Sequence, residues 1–362
     1  MNNFLTTKTI AREALPILES NLVFPALIYQ DYAENYAKQG DTIQIRKPPV
    51  YTAKEFDGEI DIQDINEGNV LVTLDKIADV SVELSAKEMA LNAEDFTKQV
   101  IEPAMVALAE KINADGLALY KDVYNLYGTA GTTPSTLADL AGSAKILNDN
   151  KAPLVGRSAV WNTEAIANFQ QLPALVNAEK SGSTDALREG SIGRVFGVDH
   201  FFSQQIPSHS AGYCDSPMVL HDWYNDEGTE IELDGGVGVL YKGDILRING
   251  KPQVVQKDVE FSGNRAKVSV LPGVPEEDRN EVSVVLLESH AVNLMFQKNA
   301  FGFVTRPLEE ARGADSYVTH YNGLSVRVTM DYNIATKKQT LSIDTLYGFK
   351  TLYPELAVRV LG

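Results

Sequence analysis

From Gly323 onward, apolar and polar positions alternate. Leu324, Val326, Val328 and Met330 share one face, and Leu341 and Ile343 follow after the polar connection NIATKKQ. A two-residue period is that of half-buried β-strands, so the spacing predicts two long strands joined as a hairpin. The same period marks Ile43 and Ile45, then Val70, Val72 and Leu74, then Val80, Val82 and Leu84. Between them, VYTAKEFDGEIDIQDINEG is polar and acidic, with little to bury. A strand, a long acidic tip and a returning strand predict an extended hairpin. Its tip is either mobile or takes its core from a neighbouring chain.

The period lengthens after Asn92, a helix cap with Asp95 three residues on. Phe96, Val100, Ala104, Leu108 and Ile112 step by four and make one apolar stripe. Pro103 removes a backbone donor and crowds the preceding turn, so it should kink or restart the helix. If continuous to Tyr124, the helix spans about 45–50 Å at ~1.5 Å per residue. A weaker helical pattern at residues 6–20 uses Ile10, Ala14, Leu15, Ile17 and Leu18 and is interrupted by Pro16.

Residues 129–224 mix both periods. LADLAGSAKILNDN reads as a helix, APLVGRSAVWN as a strand, TEAIANFQQLPALVNAEK as a helix capped by Thr163, and a strand lies near MVLHDW. Residues 225–289 change to short alternating strands. Gly-Asp, Asn-Gly and Ser-Gly-Asn punctuate them every eight to twelve residues, the spacing of a small β-barrel or sandwich. The mixed pattern resumes after His290, so this β-module reads as an insertion in an α/β domain.

Composition narrows the function classes. A chain of 362 residues, 44% hydrophobic, can build a large core and suggests two or three domains. A formal net charge of −17 argues against a nucleic-acid-binding surface. The acidic residues are spread along the chain, as on a solvated surface. One cysteine, Cys214, allows no intramolecular disulfide and leads us to expect a reducing compartment. The N-terminal stretch has no basic segment followed by an apolar run, and nowhere do eighteen apolar residues run together. Neither a signal peptide nor a membrane span is therefore expected.

The search for chemistry yields little. His200, His209, His221, His290 and His320 show no zinc-ligand spacing. DGGVGV (Asp234 to Val239) lacks the lysine of a phosphate loop and reads as a β-turn. Ser191 lacks a nucleophile-elbow setting, and DGEIDIQD (Asp57 to Asp64) lacks calcium-loop spacing. The adjacent Glu309 and Glu310 carry no information about a catalytic pair. No catalytic, cofactor-binding or metal-binding residue is expected. A hydrolase around Asp199 and His200 is the remote alternative.

With chemistry absent, the order of elements becomes the signal. EPAMVALAEKINADGLALY looks like a spine helix, and KGDILRING like a strand–turn–strand of an inserted barrel. NLMFQKNAFGFVTRPL, GLSVRVTMDYN and LSIDTLYGFKTLYPELAVRVLG look like a C-terminal end with an Asp-x-Leu-Tyr-Gly turn. In this order they resemble the major capsid proteins of tailed bacteriophages, the Hong Kong 97 fold, in the branch typified by the coat protein of phage P22.

The resemblance implies an α+β fold with an N-terminal arm (1–46), an extended hairpin (47–83) and a peripheral domain with the spine helix (84–128). It further implies an axial domain (129–224 and 290–322), an inserted β-barrel (225–289) and peripheral strands (323–362). The implied function is self-assembly, through pentamers and hexamers, into an icosahedral head shell. The implied partners are a separate scaffolding protein, a portal protein and packaged double-stranded DNA contacted without sequence specificity. The implied location is the virion capsid, assembled in the host bacterial cytoplasm. No charged helical segment precedes the arm, so a fused scaffold and maturation cleavage are not expected. A host-encoded nanocompartment shell of the same fold is the alternative. Inter-subunit contacts are expected at the hairpin tip, through Lys54, Glu55, Asp57, Glu59, Asp61, Asp64 and Glu67: six carboxylates and one lysine.

Overall fold

The final alternating stretch folds as its period predicts. Leu324–Asn333 and Lys338–Thr351 pair antiparallel, with Arg327 opposite Asp344 and Asn333 opposite Lys338. Leu324, Val326, Val328, Met330, Leu341 and Ile343 are all buried. The computed structural model describes residues 6–30, 42–46, 69–85, 96–177, 188–225, 227–278, 282–321, 323–336 and 338–362. The chain divides into two compact units, the first comprising Met1–Asn21, Gln30–Ala109 and Gly302–Leu352. The second comprises Leu22–Tyr29, Glu110–Phe301 and Tyr353–Gly362.

The first unit is built on a five-stranded sheet. Its main path runs Phe301–Arg306, Lys338–Thr351, Leu324–Asn333, Asp315–Tyr321. Lys76–Ser85 also pairs with Lys338–Thr351, over ten residues from Lys338 opposite Ser85 to Tyr347 opposite Lys76. The helix Thr7–Asn21 packs on the Asp315–Tyr321 and Leu324–Asn333 strands. Its Ile10, Ala11, Ala14, Leu15 and Leu18 are buried, and Pro16 lies within it without ending it. Thr42–Arg46 pairs antiparallel with Asn69–Thr73, from Thr42 opposite Thr73 to Arg46 opposite Asn69. The acidic stretch between these strands lies outside the described residues. At Gly348 a Cβ would stand 2.2 Å from the Thr73 carbonyl oxygen, so glycine is what lets the two backbones meet there.

The helix carrying the four-residue stripe restarts at its proline, as expected. A π-helical turn, Thr97–Ile101, runs into an α-helix, Glu102–Leu117, with Pro103 in its first turn. The wider turn dispenses with the amide that proline lacks. Phe96, Ala104, Leu108 and Ile112 are buried, while Val100 is half-buried and Ile101 and Met105 complete the buried face. The helix tightens to a 3₁₀ turn at Ala118–Asp122 and ends there, because Val123 is extended. The expected Asn92 cap lies outside the described residues.

The second unit holds a mixed sheet in the order Leu126–Tyr127, Ala357–Leu361, His290–Gln297, Arg157–Trp161, Val198–Phe202, Gly193–Val195. Every residue of Arg157–Trp161 and of Ala357–Leu361 is buried. The helix Leu137–Asp149 packs Leu140, Ala144 and Leu147 into the same core as Trp161, Met295 and Val358. Its N-terminus is a full capping box between Thr136 and Asp139. The single helix expected after Asn162 is two short ones, Thr163–Phe169 and Pro173–Val176. Pro173 keeps Leu172 extended, at φ −75° and ψ 120°, and so divides them. The cap is Asn162 rather than Thr163: its side-chain oxygen accepts from the Ala165 amide at 2.8 Å.

The inserted module is a closed six-stranded barrel. Around it run Met218–Tyr224, Glu230–Asp234, Arg265–Leu271, Lys251–Val255, Ile245–Ile248 and Ser283–Leu286. The strand at MVLHDW, assigned by the sequence reading to the α/β part, is therefore a barrel strand. It closes the ring by pairing with Glu230–Asp234 and Ser283–Leu286. Leu220, Ile231, Leu233, Leu246, Ile248, Val255, Val268, Val270 and Val284 fill the interior. The Asn-Gly signal is a two-residue hairpin turn, Asn249 at φ 48° and Gly250 at φ 78°, the handedness that matches strand twist. Outside the ring, Ile245 and Val254 pack with Leu361 of the sheet.

Candidate functional site

A charged residue stands in the middle of the apolar strand AVRVL. Arg359 is completely buried. Its Nη1 donates to the Gly243 carbonyl in the barrel at 2.8 Å, and its Nη2 donates to His290 Nε2 at 2.8 Å. The guanidinium lies over the Tyr120 ring, 4.6 Å from its centroid, a cation–π contact in a dry setting. Burial lowers the Arg359 pKa, and nearby Tyr120 and Asp244 oppose that shift.

A second chain of bonds runs beside it. The Tyr120 hydroxyl and His209 Nδ1 are 2.9 Å apart, and His209 Nε2 meets Asp244 Oδ1 at 2.8 Å. Asp244 Oδ2 also accepts from the Gly212 amide at 3.1 Å and the Tyr241 amide at 2.7 Å. His290 Nδ1 donates to the Glu288 carbonyl at 2.7 Å, so Nε2 is left as an acceptor and the ring is neutral. Burial, then the adjacent Arg359, pushes the His290 pKa down to about 4. The two imidazoles lie 5.5 Å apart.

A Tyr–His–Asp series invites a catalytic reading, but burial argues against it. Tyr120, His209, Asp244, His290 and Arg359 are each at most 4% exposed. The hydrogen bonds named above join these buried groups to one another or to backbone, with the Arg359 Nε left over, so a substrate has no approach. What the arrangement can do is join the barrel to the sheet in one geometry, because buried polar groups tolerate few alternatives to their partners.

The residues named for chemistry are not brought together. Asp199 and His200 follow one another on a strand, where successive side chains face opposite sides. His200 is buried and accepts at Nδ1 from Trp161 Nε1 at 2.9 Å, while Asp199 sits half-exposed, 3.9 Å from Arg194. Burial pushes the His200 pKa down to about 4. Cys214 is half-buried and Glu309 and Glu310 are exposed. Among the described residues no group of three or more His, Cys, Asp or Glu is placed to hold a metal ion. None of their helices is long and apolar enough to cross a membrane. The expected contact residues Lys54, Glu55, Asp57, Glu59, Asp61, Asp64 and Glu67 lie outside the described residues. The histidine pairing was missed because its members are 81 positions apart; the one local signal was an arginine inside AVRVL.

Comparison with known proteins addresses the fold directly. A solved structure from Mycobacterium phage Che8 superimposes with a TM-score of 0.53 at 16% identity, over 94% of this chain and 90% of that one. The fold is that of the tailed-phage major capsid proteins, the Hong Kong 97 type. Residues 258–362 match the family described as P22 coat protein, gene protein 5. That match covers 105 of the 362 residues. The capsid of Cyanophage P-SCSP1u aligns at 14% identity and a TM-score of 0.47, over 90% and 84% of the two chains. A virus-like particle from Pyrococcus furiosus aligns at 8% and 0.45, over 99% and 100%. No curated protein sequence matches. Within this Hong Kong 97 fold, the barrel is an insertion joined to the sheet through Arg359, Asp244 and the two histidines.

Proposed function

We propose that the chain is the repeating subunit of an icosahedral bacteriophage head, assembled as pentamers and hexamers on a separate scaffolding protein in the bacterial cytoplasm. The shell encloses double-stranded DNA, admitted through a portal. The observation that carries this reading is a capsid fold over nearly the whole chain combined with the coat-protein match at residues 258–362. The acidic balance supports it, since a basic lumen would hold packaged DNA by counterion release. The function is closed association of identical patches and requires no turnover. The inserted barrel favours this phage branch over a host-encoded nanocompartment.

The acidic hairpin tip supplies the inter-subunit contact, through Lys54, Glu55, Asp57, Glu59, Asp61, Asp64 and Glu67 set against basic groups of a neighbour. Six like charges with one lysine repel each other unless such a partner is present. Electron microscopy of the protein expressed alone and with its scaffold should show closed shells. Replacing residues 54–68 by a short Gly-Ser turn should leave a folded subunit that does not assemble. Normal shells from that variant would remove the contact assignment, and a permanent dimer under all conditions would remove the shell itself.

A further inference from the structure

We propose that the His290–Arg359 hydrogen bond, made within the sheet, holds Arg359 in place on the inserted barrel as an acid-sensitive latch, and that a second proton on His290 opens it. The geometry carries this. His290 Nδ1 spends its proton on the Glu288 carbonyl, so Nε2 can only accept, and Arg359 can only donate. A proton added at Nε2 would point at the Arg359 Nη2 group 2.8 Å away. A hydrogen bond from a cation to a neutral ring then becomes a contact between two buried cations, which a low-dielectric site penalises heavily.

The charges around His290 offer no relief. Arg359 faces it from the Ala357–Leu361 strand and His209 from the Ser208–His209 strand. Asp244, in the barrel, is the anion acting on it, and its oxygens are already engaged by His209 and the Gly212 and Tyr241 amides. Tyr120 lies beneath the guanidinium and is held neutral by burial. Glu288 reaches the ring through its carbonyl, which accepts the existing proton.

Arg359 is also the residue that reaches across to the barrel, at the Gly243 carbonyl. Pushing it off His290 therefore loosens the cation that ties the sheet to the Gly243 carbonyl of the barrel. The segments joining them, residues 210–217 and 287–289, adjoin His209 and His290 and are where opening should be felt. The effect falls on the single subunit and does not depend on shell assembly.

Hydrogen exchange on the full-length subunit between pH 7.5 and 4.5, corrected for intrinsic exchange rates, tests this. Protection in peptides covering 210–217 and 287–289 should fall by up to about tenfold per pH unit below pH 6.5, the range where a released histidine takes up a proton. His290→Gln can offer an oxygen to Arg359 and an amide to Glu288 without a titrating site, and should flatten that dependence. His200→Gln should leave it intact. An unchanged slope in His290→Gln, or no slope in the natural chain, overturns the proposal. If His290→Gln does not fold, ring nitrogen shifts of the natural subunit decide. A neutral Nδ1–H ring that persists below pH 5 supports the latch, and ordinary titration near pH 6.5 with linker protection unchanged defeats it.

Discussion

Arg327 and Asp344 face each other across paired strands and meet through two parallel hydrogen bonds. Arg327 Nε lies 3.0 Å from Oδ1 and Nη2 closes on Oδ2, while Nη1 donates to the Glu309 carbonyl at 2.8 Å. The bond to Asp344 raises the Arg327 pKa, and both side chains are largely covered. A forked pair of this kind is stronger than a surface ion pair because geometry and charge act together. Asp344→Ala should destabilise the free subunit by about 2–3 kcal/mol, mostly from the guanidinium left unpaired. Arg327→Met with Asp344→Leu should recover part of that loss. Urea unfolding of Arg327→Met, Asp344→Leu and the double measures the coupling; additive effects would mean the pair contributes nothing.

Gly348 makes a second, steric prediction. Alanine there must move the Thr73 carbonyl, which would otherwise lie 2.2 Å from the new methyl. The backbone shift should cost roughly 1–3 kcal/mol. It should also loosen the ladder between Thr42–Arg46 and Asn69–Thr73, visible as faster amide exchange there. An unchanged melting temperature would show that the two strands separate freely.

Acid stability follows from His200. Its folded pKa of about 4 lies below the ~6.5 of an unfolded histidine. Between those values the unfolded chain binds a proton that the folded chain refuses. Stability is therefore complete above about pH 6.5, falls as pH drops, and stops falling near 4. The slope from one such residue is at most roughly 1.4 kcal/mol per pH unit. His290 adds a parallel share. Equilibrium unfolding at pH 7, 6 and 5 should show His200→Gln with the shallower slope; identical slopes would mean that His200 titrates normally in the fold.

The barrel's boundary can be tested by expression. A fragment of residues 225–289 lacks Met218–Tyr224 and leaves two strands with open edges, so it should not melt cooperatively. A fragment of residues 212–289 contains all six strands and should. Cooperative melting of the shorter piece would show that the ring closes without its first strand.

That boundary also shows what sequence patterns can and cannot carry. The Asn249–Gly250 turn was legible because both residues that need positive φ are adjacent and their types are nearly diagnostic. The Met218–Tyr224 stretch was legible as a strand but not as part of the barrel, because its register shifts between Leu220 and Tyr224 and the shift breaks the two-residue period. The division of the Asn162 helix was written in Pro173 and was passed over. Arg359 is a different case. Its partners lie 69 and 116 positions away, and no local pattern specifies a pairing at that distance.

The position of the Ala357–Leu361 strand has a consequence for how the chain is made. It pairs on one side with His290–Gln297 and on the other with Leu126–Tyr127. All the barrel strands are contiguous in the chain and leave the ribosome well before residue 357. At ~5–20 residues per second, the stretch from His290 to Leu361 takes roughly 4–14 s to synthesise. For that interval the barrel can be closed while the sheet it rests on lacks a central strand and exposes two unpaired edges. A nascent subunit is thus most open to misassociation just before its last strand arrives, and the arrival of Arg359 locks sheet and barrel in a single step.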